Sequence, residues 1–171
     1  MTGGPAGPVR ILFLDVDGTL TDGVITESAT GDSRNFWVRD GLALLWARDL
    51  GLLPVVISGR PSPAVESRMR DLGLECYLDV RDKVAVAERV LAREGVRWEE
   101  CAMLGDDLPD GPLLNRVGWP VAVADAQPEV LARARVVTQR GGGRGAAREV
   151  VEMLLRHNGT WEQVLRRYEA V

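Results

Sequence analysis

The chain has 171 residues, 46% of them hydrophobic and 27% charged, with a formal net charge of −4. That length suits one domain able to bury a core without metal or disulfide staples, and the acidic balance argues against a general nucleic-acid or membrane surface. Two cysteines, Cys76 and Cys101, sit in apolar strand-like runs and read as reduced buried thiols, while a lone His157 leaves no material for a zinc site or a Ser-His-Asp triad.

Residues 1–8 are rich in glycine and proline and read as a flexible tail without a hydrophobic signal region, leaving 9–171 as the domain. Val9 to Leu14 is an apolar run suited to a strand buried on both faces. Asp15 and Asp17 cut it short, so it is no membrane span and the expected location is the cytoplasm. Further strands are predicted near 53–58, 74–79, 101–105 and 120–124, with an edge run at 136–138. Helices are predicted near 40–50, 62–72, 83–94, 110–116 and 128–133. This alternation predicts an α/β fold, a Rossmann-like, doubly wound, mostly parallel sheet with helices on both faces. Val24-Ile25-Thr26 and Asn35-Phe36-Trp37-Val38 are expected to form a β-hairpin flap within 23–38, with Gly31-Asp32-Ser33 between them. Toward the end, Gly141 to Gly145 reads as a flexible loop, followed by C-terminal helices within 146–170. Thr160 and Gln163 have capping-box spacing, and Trp161, Val164, Leu165 and Tyr168 make a stripe for packing or subunit contact.

The chemistry is concentrated where these strands end. Asp15-Val16-Asp17-Gly18-Thr19 follows the first strand, and in an open parallel sheet ligands collect at the carboxyl ends of strands. A carboxylate beside a divalent cation can attack phosphorus and become an aspartyl phosphate. Ser58-Gly59-Arg60 follows the second predicted strand of the sheet and offers a hydroxyl and free backbone N–H groups to phosphate oxygens. Lys83 opens the next helix, and Gly105-Asp106-Asp107-Leu108-Pro109-Asp110 supplies oxygen ligands for a hard cation such as Mg²⁺. Singly these read as a helix cap, a surface lysine and a turn; their fixed order makes that combination improbable.

This order resembles the haloacid dehalogenase superfamily of aspartate-nucleophile phosphatases. Asp15 to Gly23, Val38-Arg39-Asp40-Gly41, Gly105 to Asp110, Ala122 to Ala126 and Gly142 to Glu149 are similar to one branch, the 3-deoxy-D-manno-octulosonate 8-phosphate phosphatases of lipopolysaccharide sugar biosynthesis. Nonulosonate (sialic acid type) 9-phosphate phosphatases and phosphatase-like domains fused to sialic acid activating enzymes share much of the same text. The resemblance implies Asp15 as nucleophile, Asp17 as acid and base, and Mg²⁺ held by Asp15, the Asp17 carbonyl and Asp106. Ser58, Gly59 and Lys83 would grip the phosphoryl group, with Asp107 and Asp110 orienting Lys83 or outer waters. Ser58 stands where threonine is commoner, a change that keeps the hydroxyl. Arg60 and Arg68 are expected to meet the carboxylate of a phosphorylated sugar acid, with Arg144 from an adjoining subunit as a third candidate. The segments between Thr19 and Ser58 and between Gly59 and Lys83 are too short to hold a cap domain. Neighbouring subunits are therefore expected to cover the site, and the resemblance implies a homotetramer. A phospho-receiver domain, or a silent assembly domain, is the alternative from another class. A receiver, however, carries its acceptor aspartate on a middle strand.

Overall fold

A computed structural model describes residues 7–29 and 31–170, so the expected tail lies almost wholly outside the described residues. Six parallel strands, β1 (Ile11–Leu14), β4 (Leu53–Ile57), β5 (Glu75–Tyr77), β6 (Cys101–Gly105), β7 (Trp119–Ala122) and β8 (Val136–Val137), form one sheet in the order β5-β4-β1-β6-β7-β8. Ile11, Leu12, Phe13 and Leu14 are all buried, because β1 is paired on both edges, Ile11 facing Leu53 on one side and Cys101 on the other. From β1 the chain winds outward through β4 and β5, then returns to β6 on the opposite flank. The strand order therefore reverses at β1, and the crevice outside its carboxyl end is the place where such sheets bind ligands.

The helices are α1 (Val38–Asp49), α2 (Pro63–Leu72), α3 (Lys83–Glu94), α4 (Gly111–Leu114), α5 (Pro128–Leu131), α6 (Ala146–His157) and α7 (Trp161–Arg167). Right-handed crossovers in opposite winding directions place α1 and α3 on opposite faces of the sheet; α1 packs against α6 and α3 against α4. Two starts are set by the sequence. The Ser62 Oγ accepts from the Val65 N–H ahead of Pro63 in α2, and an Asp82 carboxylate oxygen accepts from the Ala85 N–H in α3, which fixes Lys83 as the first residue of that helix. Among the described residues only a two-stranded hairpin and α1 separate β1 from β4, and only α2 and β5 separate β4 from α3, so no cap domain is built there. Among the described residues no helix is long and apolar enough to cross a membrane.

Three local expectations need correction. The hairpin strands are β2 (Thr26–Ser28) and β3 (Gly31–Ser33), so the Gly31-Asp32-Ser33 segment expected as a connection is itself a strand, paired with Thr26 through Ser33. Phe36 instead makes one bridge to Thr21, and Val38 begins α1. The polar strand forms because its side chains dock on the sheet body rather than on a hydrophobic face, as the Ser62–Asp32 hydrogen bond of 2.7 Å illustrates. The Gly141 to Gly145 loop is pinned. Gly143 N–H donates to Thr19 O at 3.0 Å and Gly142 N–H to Asp125 Oδ1 at 2.9 Å, and a Cβ at Gly142 would collide with the Gly18 carbonyl. No capping box forms at Thr160, whose hydroxyl donates to Leu155 O; the stripe after it packs within the chain, Trp161 edge-on to Trp46 and the Tyr168 hydroxyl accepting from Trp46 Nε1. Both cysteines are free, and burial pushes the Cys101 thiol up to about 12 and the Cys76 thiol to about 11, as expected for inert reduced groups.

Asp40 has a structural task. It is 2% exposed, and its carboxylate accepts from Gly145 N–H at 3.2 Å and Arg148 N–H at 2.7 Å, capping α6 from a different helix and tying α1 to the glycine loop. Asp40→Ala strands two buried donors, so chemical denaturation should show a loss of about 2 to 3 kcal/mol. Asp40→Asn keeps one acceptor and should lose less. An unchanged midpoint for Asp40→Ala would remove this cap from the account of α6.

Candidate active site

Asp15 is the first residue beyond β1, and its N–H still donates to Leu104 O at 3.1 Å, so the sheet itself sets where its side chain starts. The chain then wraps tightly: Val16 O accepts from the N–H groups of Thr19, Leu20 and Thr21. Gly18 has φ +89°, and any side chain there would strike the Asp106 carboxylate, so glycine is what lets the β1 loop and the β6 loop meet. Across that contact the Thr19 hydroxyl donates to Asp106 Oδ1 at 2.9 Å.

The Lys83 ammonium lies at the centre, 2.5 Å from Asp15 Oδ1 and 2.8 Å from Asp110 Oδ1. Asp15, Lys83 and Asp110 are 8%, 6% and 1% exposed. Oxygens of Asp15, Asp106 and Asp110 all lie within 4.8 Å of one another. Burial, and next the charge of Asp110, push Asp15 up to about 7 against the pull of Lys83. Burial likewise raises Asp106 to about 6, with Asp110 and Asp107 adding to it and the Thr19 hydrogen bond opposing. For Lys83 burial acts downward, but Asp15 and Asp110 together outweigh it and hold the ammonium above its usual range. Three carboxylates thus crowd a site with one cation, which pairs with two of them, an excess of negative charge that a divalent cation would satisfy.

Asp110 has its other oxygen engaged by the Asp106 and Asp107 N–H groups, which leaves Asp15 and Asp106 as the carboxylates open to a metal. Of the two carboxylates expected to orient Lys83 or outer waters, Asp110 is the one that touches Lys83, while the Asp107 carboxylate accepts from Leu108 N–H at 2.7 Å and caps the short turn. Ser58 is 3% exposed, held by backbone hydrogen bonds to Tyr77 and Val80, with its hydroxyl oxygen accepting from Arg60 N–H at 3.3 Å. Asp15, Asp17, Ser58, Gly59, Arg60, Lys83, Asp107 and Asp110 line one cleft of about 680 Å³.

One expected residue is elsewhere. Arg68 is not brought to the cleft of its own chain; its guanidinium lies over the Phe36 ring, 6.0 Å from the centroid, and packs against Gly41. Helical spacing from Ser62 turns this position toward the hairpin base. Arg144, expected to act from an adjoining subunit, is exposed on the glycine loop and does not line the cleft of its own chain. Two cations escaped the sequence reading. Arg81 lines the cleft beside Val80, following Asp79, a non-glycine residue at φ +55°. Arg34 pairs with Asp17, its Nε 2.5 Å from Oδ1. The available signal was alternation: Asp32 and Arg34 are two apart and so share one face of an extended chain.

A family model described as haloacid dehalogenase-like hydrolase matches residues 79–149. The 3-deoxy-D-manno-octulosonate 8-phosphate phosphatase of Escherichia coli strain K12 is 39% identical over 157 residues, 91% of this chain and 84% of that protein. The chain belongs to this phosphatase family within the haloacid dehalogenase superfamily. The crystal structure of the Yersinia pestis phosphatase matches with a TM-score of 0.87 at 37% identity, covering 90% of this chain and 84% of that one. The Moraxella catarrhalis phosphatase, in complex with a magnesium ion, a phosphate ion and KDO, matches with a TM-score of 0.89 at 30% identity over 94% and 93% of the two chains. As a member of this phosphatase family the chain is a hydrolase, and the receiver and silent-domain readings fall away.

Proposed function

We propose that the chain hydrolyses 3-deoxy-D-manno-octulosonate 8-phosphate through a phospho-Asp15 intermediate, in the cytoplasm, as a step toward the lipopolysaccharide sugar. The observation that carries this reading is the buried Lys83 ammonium bridging Asp15 and Asp110 at the mouth of β1. Asp15, Asp106 and the Asp17 carbonyl would hold Mg²⁺, which would supply positive charge to these oxygens and to a phosphoryl oxygen.

The Asp15 carboxylate attacks phosphorus in line, forming the acyl phosphate as the bond to the sugar oxygen breaks. Lys83, the Ser58 hydroxyl and the Gly59 N–H take up charge on the phosphoryl oxygens, so catalysis is chiefly positioning and electrostatics. Asp17 gives a proton to the departing alkoxide, then receives one from the water that opens the acyl phosphate. Arg60, 60% exposed at the cleft, with Arg81 beside it, is suited to the substrate carboxylate. The exposed apolar side chains of Val24, Trp37, Val38 and Leu42 cluster in sequence around the hairpin base and the first turns of α1, which supports a homotetramer in which neighbours cover the cleft.

Asp17→Asn should lower kcat strongly with the sugar phosphate and less with an activated aryl phosphate, whose leaving group needs little protonation. Steady-state kinetics with the octulosonate phosphate, a nonulosonate 9-phosphate, a hexose phosphate and an aryl phosphate test both the substrate and the proton transfer. A preference for the nonulosonate or the hexose ester would reject the assigned substrate; equal losses on sugar and aryl esters would reject Asp17 as the acid.

A further inference from the structure

Arg34 stands between the hairpin and the phosphoryl cleft. Its side chain is 1% exposed, although β2 and most of β3 are exposed. On one side it is clamped: Nη1 donates to Ser62 Oγ at 2.5 Å and pairs with Asp32. Ser62 is itself fixed, because its hydroxyl donates to Asp32 Oδ2 and accepts from Val65 N–H at the start of α2. On the other side Nε and Nη2 reach both oxygens of Asp17, at 2.5 and 3.5 Å. Arg60 is the other side-chain partner of Asp17 among the described residues, at 3.6 Å and from a largely exposed position. A planar fork held at its far end can hold a carboxylate in one orientation in a way that an exposed arginine cannot.

We propose that Arg34 is a positioning residue for the proton transfers of Asp17. It fixes the carboxyl group at the angle from which a proton passes to the sugar oxygen as the P–O bond breaks, and to which a proton returns from water as the new P–O bond forms. The hairpin is thereby part of the active site through its own chain, apart from any cover a neighbour supplies. This rests on the reading of Asp17 as acid and base, and the test separates the two.

Kinetics of Arg34→Gln, Arg34→Lys, Asp17→Asn and Arg34→Gln combined with Asp17→Asn are compared on the octulosonate phosphate and an aryl phosphate, with folding checked by circular dichroism. Misorientation of a reacting group costs on the order of a hundredfold. Arg34→Gln should therefore lose about that much kcat with the sugar ester, less with the aryl ester, and change KM little. Arg34→Lys should recover part of the loss, and the double variant should be no slower than Asp17→Asn alone, since the two residues act as one unit. Ser62→Ala removes one of the two groups that clamp the far end of Arg34 and should show a weaker form of the Arg34→Gln profile, a smaller loss that again falls more on the sugar ester than on the aryl ester. Equal Arg34→Gln losses on both esters, additive losses in the double variant, or a Ser62→Ala loss that falls equally on both esters would overturn the proposal while a leaving-group split in Asp17→Asn left the acid assignment standing. Absence of that split in Asp17→Asn itself would overturn both.

Discussion

Asp15→Asn should lower turnover of the sugar phosphate by about four orders of magnitude or more, the scale on which loss of a covalent nucleophile acts, while the protein stays folded. The amide preserves the size of the side chain but offers phosphorus no useful attacking oxygen. A second effect follows from burial. Asp15 lies above the ordinary carboxylate range, at about 7, because its charge is buried beside that of Asp110. An acid whose pKa is raised on folding binds a proton in the native state that the unfolded chain has already lost, so stability falls as pH climbs from about 4 to about 7 and stays low above that. The metal-free parent should accordingly melt below metal-free Asp15→Asn at about pH 8, and the gap should close at about pH 4, where both forms are neutral there. Saturating Mg²⁺ should raise the parent's melting temperature at the higher pH by binding the native state. Retention of more than a small fraction of parental turnover by Asp15→Asn would end the covalent mechanism, and a parent melting above the variant at high pH without metal would show that the buried charge carries no cost. The site is therefore expected to trade stability for function, as sites built from like charges do.

How much of this was legible in the sequence depended on whether the signal was local. The strand from Ile11 to Leu14 announced its double burial by an unbroken apolar run, and the ends of α2 and α3 by Ser62-Pro63 and Asp82 with glycines behind them. Asp15, Ser58, Lys83 and Asp110 were legible because each stands at the end of a sheet strand or the start of the segment that follows it, and the parallel sheet brings those points together. The Arg34–Asp17 pair was not legible, since its partners are 17 positions apart and the only local sign, the two-residue spacing of Asp32 and Arg34, says nothing of where the hairpin docks. Asp40 was visible only as part of a family motif; its partners Gly145 and Arg148 lie more than a hundred positions away on the far side of the sheet topology. Arg68 sits away from the cleft of its own chain for a different reason. Its spacing from Arg60 was read along the chain, whereas α2 turns the side chain to Phe36 and Gly41. The Gly141 to Gly145 loop looked like a hinge because glycine permits motion, but it also permits close approach, and here the backbones of the loop and of the β1 turn meet.

Lys83→Met tests the electrostatic core directly. Methionine fills nearly the same volume but leaves Asp15 and Asp110 facing each other with no cation, and removing one partner from a buried ion pair typically costs about 3 to 5 kcal/mol. The deficit should be largest near about pH 8 and shrink toward about pH 5, because Asp15, already held above the usual carboxylate range and now without its cation, then takes a proton; a raised acid pKa gives stability at low pH and loses it as pH rises. Part of the loss should be recovered by Mg²⁺, which supplies positive charge to the same cluster. Activity should fall by at least about a hundredfold to a thousandfold even when the variant is assayed folded and metal-saturated, the usual cost of deleting one donor from a site that stabilises developing charge. Lys83→Arg keeps the charge but not the fit between Asp15 and Asp110, which are met by a single nitrogen at 2.5 and 2.8 Å. It should rescue stability more than turnover. Parental stability of Lys83→Met at the higher pH would mean that the buried charge of Asp15 needs no cation beside it, and a fully active variant would remove Lys83 from phosphoryl binding.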